Sequence, residues 1–152
     1  MEEAKAIRTL VLDTNVLISS LVRSEGITRV SLAILLHDDN CEVTAPASVV
    51  EELIAHSQEI CDKAAITRPL LEETLNRLLV DITLAPLSSY QRKLHDALQF
   101  VRDDTDAPFA ALALVRLPST IITYNKRHFN SRRLRHRRVQ VLTPAEALRE
   151  LR

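Results

Sequence analysis

The sequence predicts an α/β fold, a three-layer α/β/α sandwich with a mostly parallel sheet. Short aliphatic runs without polar alternation recur along the chain, which is the pattern of strands buried on both faces of a parallel sheet. Segments with apolar residues at helical spacing separate these runs. The chain has 152 residues, 46% of them hydrophobic, which is enough for one core. We therefore expect a single domain over residues 1–152.

The first half of the chain alternates strands with helices. The aliphatic run Thr9–Leu12 predicts a strand, and helices are expected over Val16–Val22 and Thr28–Leu36. Cys41–Ala45 is a short second strand, ended by Pro46. Ser48 and Glu51 have the spacing of a capping box that opens the next helix. Capping accounts for Glu51 and leaves its neighbour, Glu52, without a structural role.

Prolines and capping signals define the second half. Residues 67–80 predict a helix, Ile82–Ala85 a strand, and Ser88 with Gln91 a capping box that opens a helix to about Val101. Residues 107–117 are apolar almost all round, as in a central buried helix. The remaining elements are the strands Thr120–Thr123 and Val139–Leu142 and a terminal helix capped by Thr143 and Glu146, with Pro144 at its first position.

Several functional classes are excluded by composition. Gly26 is the only glycine, so the chain has neither a glycine-rich phosphate loop nor a dinucleotide fingerprint. Aromatic residues are too few and scattered for a base-stacking platform. The histidines lack the spacing of a zinc site. No apolar span is long enough to cross a membrane, and the unpaired spacing of Cys41 and Cys61 suits free thiols in a reducing cytoplasm.

The charges divide the chain into two parts. Residues 1–106 carry 10 Lys and Arg against 18 Asp and Glu, whereas residues 107–152 carry 10 against 2. This split suggests a metal site beside a surface that binds a polyanion. Ordinary solvated faces of one mixed fold would give the same composition.

Acidic or amide residues follow predicted strands or open predicted helices at four places: Asp13, Glu52, the segment Asp103–Asp106 and Asn125. Such positions converge on one crevice of an open α/β sheet. Asp13 alone could be a helix cap. The three carboxylates of Asp103–Asp106 exceed the needs of a cap, and they repel one another unless a cation such as Mg²⁺ or Mn²⁺ joins them. We expect Asp13, Glu52, Asp103 and Asp106 to crowd one crevice, so that without metal their repulsion raises the pKa of each.

Four stretches together resemble the successive motifs of the PIN domain, most of all in the toxin components of bacterial toxin–antitoxin modules. They are Val11–Ile18, Ser48–Leu53, Asp103–Phe109 and Ile122–Phe129. The resemblance implies a PIN-like fold and a ribonuclease dependent on Mg²⁺ or Mn²⁺. It implies catalytic roles for Asp13, Glu52 and Asp106, and a metal-ligand set of Asp13, Glu52, Asp103, Asp106 and Asn125.

The resemblance also shows two departures from the family pattern. Many relatives carry Asp where this chain has Asn125, and Asp again where it has His128. An amide can ligate through its oxygen or hold a water, so the site has lower charge but keeps its donors. Thr14, Asn15 and Thr123 would orient waters or the scissile phosphate around it.

A basic run follows the fourth motif, and it has three interpretations. It could contact the RNA backbone, bind an acidic segment of an antitoxin protein, or be solvated without a partner. Its members are Lys126, Arg127, Arg132, Arg133, Arg135, Arg137 and Arg138.

These observations favour a cytoplasmic endoribonuclease, the toxin of a two-gene module, with an RNA substrate, an antitoxin partner, a homodimeric state and no membrane association. The alternative is a catalytically weakened PIN-like module that binds RNA or a protein without cleavage, as Asn125 and His128 suggest. Phosphatase or response-regulator chemistry is disfavoured because Asp13 has no second acid two residues later.

Overall fold

A computed structural model describes residues 7–23 and 26–151, so the limits of the predicted domain lie partly outside the described residues. Its centre is a parallel sheet of five strands, and each predicted strand is present, with its ends shifted by no more than one residue. The strands are β1 (Arg8–Leu12), β2 (Cys41–Pro46), β3 (Thr83–Ala85), β4 (Ser119–Ile122) and β5 (Val139–Leu142). They lie in the order β3-β2-β1-β4-β5, and every neighbouring pair is parallel.

Helices cover both faces of this sheet. They are α1 (Thr14–Val22), α2 (Ile27–Leu36), α3 (Val49–Ala55), α4 (Ser57–Ala64), α5 (Arg68–Val80), α6 (Leu87–Tyr90), α7 (Leu94–Ala97), α8 (Ala107–Val115), α9 (Ser131–His136) and α10 (Pro144–Glu150). Short 3-10 turns span Gln91–Lys93, Leu98–Phe100, Asp104–Asp106 and Lys126–His128. No described helix is both long and apolar enough to cross a lipid bilayer.

The core has two apolar layers, one on each face of the sheet. Leu10 and Leu12 pack into the layer formed with α1 to α5 and α10, while Val11 packs into the layer formed with α6 to α9. This division follows from the alternation of side chains along a strand. The predicted three-layer α/β/α sandwich is therefore confirmed.

The apolar helix and the terminal cap also match their predictions. Most of α8 is buried, including Phe109, as expected for a helix without a polar face. Thr143 accepts a hydrogen bond from the Glu146 amide, and Glu146 accepts one from the Thr143 amide, which is a complete capping box at the start of α10.

The other two predicted capping boxes are wrong. The backbone of Ser48 is already helical, with φ −60° and ψ −16°, whereas a capping residue is extended. Pro86, with ψ 154°, takes the capping position that had been expected of Ser88. The predicted helix from Ser88 to Val101 is also wrong as one element, because α6, α7 and two 3-10 turns divide it.

The strand order places the site. The chain builds the sheet from β1 towards β3, then crosses back so that β4 lies on the other side of β1. Ligands of open α/β sheets bind at such a reversal, outside the carboxyl ends of the strands. Leu12 of β1 and Ile122 of β4 lie side by side there, and the chain leaves them through Asp13 and Thr123.

Candidate active site

Asp13 is fixed at the end of β1 by three donors. Its Oδ1 accepts a hydrogen bond from the Thr14 amide at 2.8 Å, so it does cap α1. Its Oδ2 accepts from Thr123 Oγ1 at 2.8 Å and from Asn15 Nδ2 at 3.0 Å. The side chain is buried, with 5% of the residue exposed. Burial raises the pKa of Asp13, and the three hydrogen bonds oppose that rise.

Glu52 approaches Asp13 through Thr14. The Thr14 hydroxyl donates a hydrogen bond of 2.6 Å to Glu52 Oε2, while the Thr14 amide binds Asp13. Glu52 is half-buried, whereas the preceding Glu51 is exposed. Thr14 therefore connects two acids that lie 39 positions apart in the chain.

Asp106 is a second acid at this edge of the sheet, and it is half-buried. It precedes α8, but its side chain makes no capping hydrogen bond. Its Oδ2 is buried and lies 3.2 Å from His128 Nδ1, a distance that fits an ion pair. Among the described residues, this oxygen has no partner with hydrogen-bond geometry. Burial first, and then the charge of Asp13, raise the pKa of Asp106 to about 6, while His128 opposes the rise.

Asp103 does not share this environment. It is exposed, and its Oδ1 accepts hydrogen bonds from the amide and the hydroxyl of Thr105 at 3.0 and 2.9 Å. These bonds hold the pKa of Asp103 below its usual value. The prediction of raised pKa values is therefore confirmed for Asp13 and Asp106 and wrong for Asp103, which caps the 3-10 turn before α8.

The segment after β4 organises the polar groups around Asp13. Thr123 Oγ1 accepts from the Asn125 amide at 3.0 Å, and Asn15 Oδ1 accepts from the Tyr124 amide at 3.1 Å. Asn15 and Thr123 thus join α1 to this segment through side-chain contacts. The side chain of Asn125 is exposed, and its predicted role as a ligand stays a prediction.

The five predicted ligands do not form one coordination shell. Within residues 7–23 and 26–151, no three acidic, imidazole or thiol groups are placed to hold a metal ion together. Mg²⁺, however, keeps several waters and is often held by only one or two carboxylates. Asp13 and Asp106 fit that requirement, because the charge of Asp13 raises the pKa of Asp106 and Asp106 has a buried oxygen without a hydrogen bond.

The predicted basic run is divided by its contacts. Lys126 pairs with Glu146 at 2.9 Å, and Arg137 pairs with Asp96 at 2.9 Å. Arg133 donates to the Gln99 carbonyl at 3.2 Å, and its guanidinium lies 5.1 Å from the centre of the Phe100 ring. The remaining members of the run are exposed and have no side-chain partner in the described part of the chain; they are Arg127, Arg132, Arg135 and Arg138.

A large cleft on the surface of the described residues is remote from the acids. A cleft of about 1360 Å³ lies at the amino-terminal ends of the strands, near Arg8 and Ser119. A groove of about 270 Å³ lies beside the acids and includes His128 and Arg102. Arg102 was missed at the level of the sequence, although its position directly before Asp103 was a usable signal.

Comparison with known protein families agrees with this geometry. Residues 11–131 match the PIN domain, a range that includes every residue predicted as a metal ligand. No curated protein and no solved structure gives a significant match. The family match covers most of the chain, and the acids lie where open α/β sheets bind ligands. The chain therefore belongs to the PIN domain family, and its fold is a nuclease fold.

Proposed function

We propose that this protein is a metal-dependent endoribonuclease that hydrolyses RNA phosphodiester bonds. The observation that carries the proposal is the pair Asp13 and Asp106, a buried carboxylate and a half-buried one with a buried oxygen, at the carboxyl edge of a PIN-domain sheet. The charge of Asp13 raises the pKa of Asp106, and the ion pair that Asp106 makes among the described residues is with the His128 imidazole. A divalent cation would favour both ionised forms.

Asp13 and Asp106 would hold the ion, Mg²⁺ or Mn²⁺. Such an ion, when bound, supplies an activated water and stabilises charge on the attacked phosphate. Asp13 is suited to this role because Thr14, Asn15 and Thr123 fix both of its oxygens. Preorganised ligands do not have to reorient when substrate arrives.

Glu52 is proposed as the third acid of the reaction. The Thr14 hydroxyl fixes Oε2 and leaves the other carboxylate oxygen able to accept from a water. A carboxylate near the attacked phosphate can orient that water and accept its proton. Asp103 and Asn125 are proposed as outer groups that bind waters, since both are exposed.

A cleavage assay with structured RNA tests the proposal. Wild-type protein should cleave with Mn²⁺ or Mg²⁺ and not with chelator. Asp13→Asn and Asp106→Asn should each reduce the rate by at least about a hundredfold, as expected when a group that stabilises the transition state is removed. Glu51→Gln is the matched control, because Glu51 is exposed and neighbours Glu52. Metal-independent cleavage, or full activity of Asp106→Asn, would contradict the proposal.

The second candidate is a weakened PIN module that binds RNA or a protein without cutting it. The exposed amide of Asn125 and the His128 imidazole beside Asp106 favour it, since neither adds negative charge to the site. Metal-independent RNA binding by the wild type, together with intact RNA after long incubation in Mn²⁺, would identify this function.

We further propose that the protein is the toxin of a two-gene module, acting in the cytoplasm as a homodimer and held by an antitoxin protein. The four motifs that resemble such toxins support this role, and the free thiols of Cys41 and Cys61 support a reducing compartment. Induced expression should arrest growth, and Asp13→Asn should not. Light scattering should give twice the 17.2 kDa chain mass, and a monomer would refute the dimer.

A further inference from the structure

We propose that the groove beside the acids binds a phosphodiester of the RNA strand next to the bond that is cut, with Arg102 and Arg127 as the residues that contact the phosphate. This inference rests on the proposed function and adds a substrate subsite to it. We call this surface the arginine groove; it is lined by Gln99, Phe100, Val101, Arg102, Arg127, His128, Phe129 and Asn130.

Two chain segments form the walls of the arginine groove, and backbone hydrogen bonds hold them together. Val101 and Phe129 form an isolated antiparallel bridge. The Arg102 amide donates to the His128 carbonyl at 2.9 Å, and the Asn130 amide donates to the Phe100 carbonyl at 2.7 Å. The backbone on both sides is thus fixed before any ligand arrives, which lowers the entropic cost of binding.

The arginine groove continues into the acid pair. His128 lines the groove, and its Nδ1 is the atom that lies 3.2 Å from Asp106 Oδ2. Arg102, on the other wall, is followed directly by Asp103 and the turn that leads to Asp106. A strand of RNA with one phosphate at Asp13 and Asp106 therefore has an adjacent phosphate within reach of this groove.

The charge of the arginine groove suits a phosphate. None of the described residues that line it is acidic. Arg102 and Arg127 are exposed, and neither side chain has an ion pair or hydrogen bond among the described residues. A guanidinium offers paired donors that match two phosphate oxygens, and it gives up little hydration when it binds.

The chemistry of the floor favours nucleic acid over an acidic protein segment. Phe100 and Phe129 form the floor, but each is buried, with 3% of the residue exposed. Protein partners are held mainly by aromatic and aliphatic anchors in desolvated pockets. The arginine groove offers charge and amide groups without such a pocket.

RNA binding in chelator tests the subsite separately from cleavage. Labelled single-stranded RNA is titrated with wild type, Arg102→Ala, Arg127→Ala and the double variant over a series of salt concentrations. Each single change should lower the affinity severalfold and reduce the salt slope by roughly 0.7, the value for one lost phosphate contact with a single strand. Arg92→Ala is the matched control, because Arg92 is exposed and lies outside the arginine groove.

The outcomes separate the subsite from the proposed function. Reduced slopes in chelator support the arginine groove even if no variant cleaves RNA, and in that case only the nuclease proposal fails. Slopes equal to wild type in both arginine variants, or no RNA binding by wild type, overturn the subsite. Arg102→Lys should retain the slope because the positive charge remains, and it should bind more weakly because the paired donors are lost. A slope lowered as far as that of Arg102→Ala, with an unchanged melting temperature, would overturn the phosphate contact of Arg102. Tight binding of an acidic peptide that RNA does not displace would also overturn it.

Discussion

Asp106 shows how one residue acquires its properties from the fold rather than from its sequence neighbours. It belongs to a run of three acids, yet its pKa rises because of burial and of Asp13, which is 93 positions away. Asp103, only three positions away, has a lowered pKa because Thr105 donates to it. The same short run of acids therefore supplies Asp106 to the candidate active site and Asp103 to the cap of a turn.

The raised pKa of Asp106 predicts a dependence of stability on pH. Its pKa is about 6 in the folded state against an ordinary value of 3.8, so the folded state binds more protons between these values. In chelator, this residue should destabilise the fold above about pH 6 and lose that effect as the pH falls towards 4. Melting temperatures of wild type and Asp106→Asn should therefore differ at pH 7.5, with the variant higher by a few degrees, and converge near pH 4.

The difference between the two proteins is the quantity to compare. Asp96 and Glu146 have lowered pKa values, so the stability that their ion pairs contribute is lost at low pH in both proteins. The difference between the melting temperatures of wild type and Asp106→Asn, taken at each pH, does not contain this shared loss. A variant that melts lower than wild type at pH 7.5 in chelator would contradict the electrostatic account of Asp106.

Glu52 was distinguished from Glu51 by an argument that was partly wrong. The Ser48 capping box that had assigned Glu51 a role is absent, because Ser48 is already helical. Glu52 nevertheless contacts Thr14, and Glu51 is exposed. The sequence left Glu52 without a structural role, but which of two adjacent acids on a helix faces the sheet edge depends on where α3 begins.

At the scale of elements, α9 illustrates what charge patterns leave open. The sequence predicts one basic surface from the arginines in and directly after α9 and from the preceding 3-10 turn. In the structure, the guanidinium groups of Arg133 and Arg137 lie over Phe100, at 5.1 and 5.4 Å from the centre of its ring. Guanidinium groups stack on aromatic rings and pair with carboxylates. Sequence alone cannot reveal this packing, because Phe100 and Asp96 come from a distant segment that was predicted as part of one long helix.

Because the arginines in and directly after α9 differ in their contacts, replacing them should have different effects. Arg137→Ala should lower the free energy of unfolding by about 1 kcal/mol, since it removes a partly exposed ion pair and a contact with an aromatic ring. It should leave the salt slope of RNA binding unchanged. Arg132→Ala should leave stability unchanged, because Arg132 is exposed and has no partner among the described residues. Urea unfolding measures the stability of both variants, and RNA titration measures their salt slopes. A loss of stability in Arg132→Ala, together with an unchanged stability and a reduced salt slope in Arg137→Ala, would refute this assignment.

Lys126 should likewise act on structure rather than on RNA. It pairs with Glu146, which also completes the cap of α10. Lys126→Ala should cost less than about 1 kcal/mol of stability, as for other partly exposed ion pairs, and should not alter the salt slope. Thr143→Ala, which removes the cap itself, should cost about 1 kcal/mol. A reduced salt slope in Lys126→Ala would return this residue to the RNA-binding surface.

At the scale of the whole molecule, the site exists because β1 and β4 are neighbours. The aliphatic runs were sufficient to predict five strands and a parallel sheet, since strands buried on both faces have a distinct composition. The strand order was not predictable from these runs, and it is the order that brings Thr123 within 2.8 Å of Asp13. The predicted ligand set stays a prediction, and the fold distinguishes its members by burial: Asp13 is buried, Glu52 and Asp106 are half-buried, and Asp103 and Asn125 are exposed.

The acidic and basic parts of the sequence can also be compared with the positions of the charged groups in the fold. Asp13 is buried and Asp106 is half-buried at the carboxyl edge, and the groove with Arg102 and Arg127 lies next to Asp106. Acidic and basic groups are therefore adjacent at this edge, and the metal site and the polyanion surface stay predictions. The large cleft at the opposite edge has no part in this arrangement.

Metal-dependent thermal melts test the central claim, that Asp13 and Asp106 together bind a divalent cation. Each protein is melted at pH 7.5 in chelator and at one fixed Mn²⁺ concentration, a hundredfold excess over the Kd of the wild type, where binding only to the folded state adds about 2.7 kcal/mol to the wild type. For a chain of this size the wild-type melting temperature should rise by about 5 to 10 °C. Asp106→Asn should gain little, while the control Asp104→Asn, which changes an exposed acid of the same run, should gain as much as wild type. Equal gains in Asp106→Asn and wild type would contradict the claim and leave Asp106 as a residue of the turn before α8.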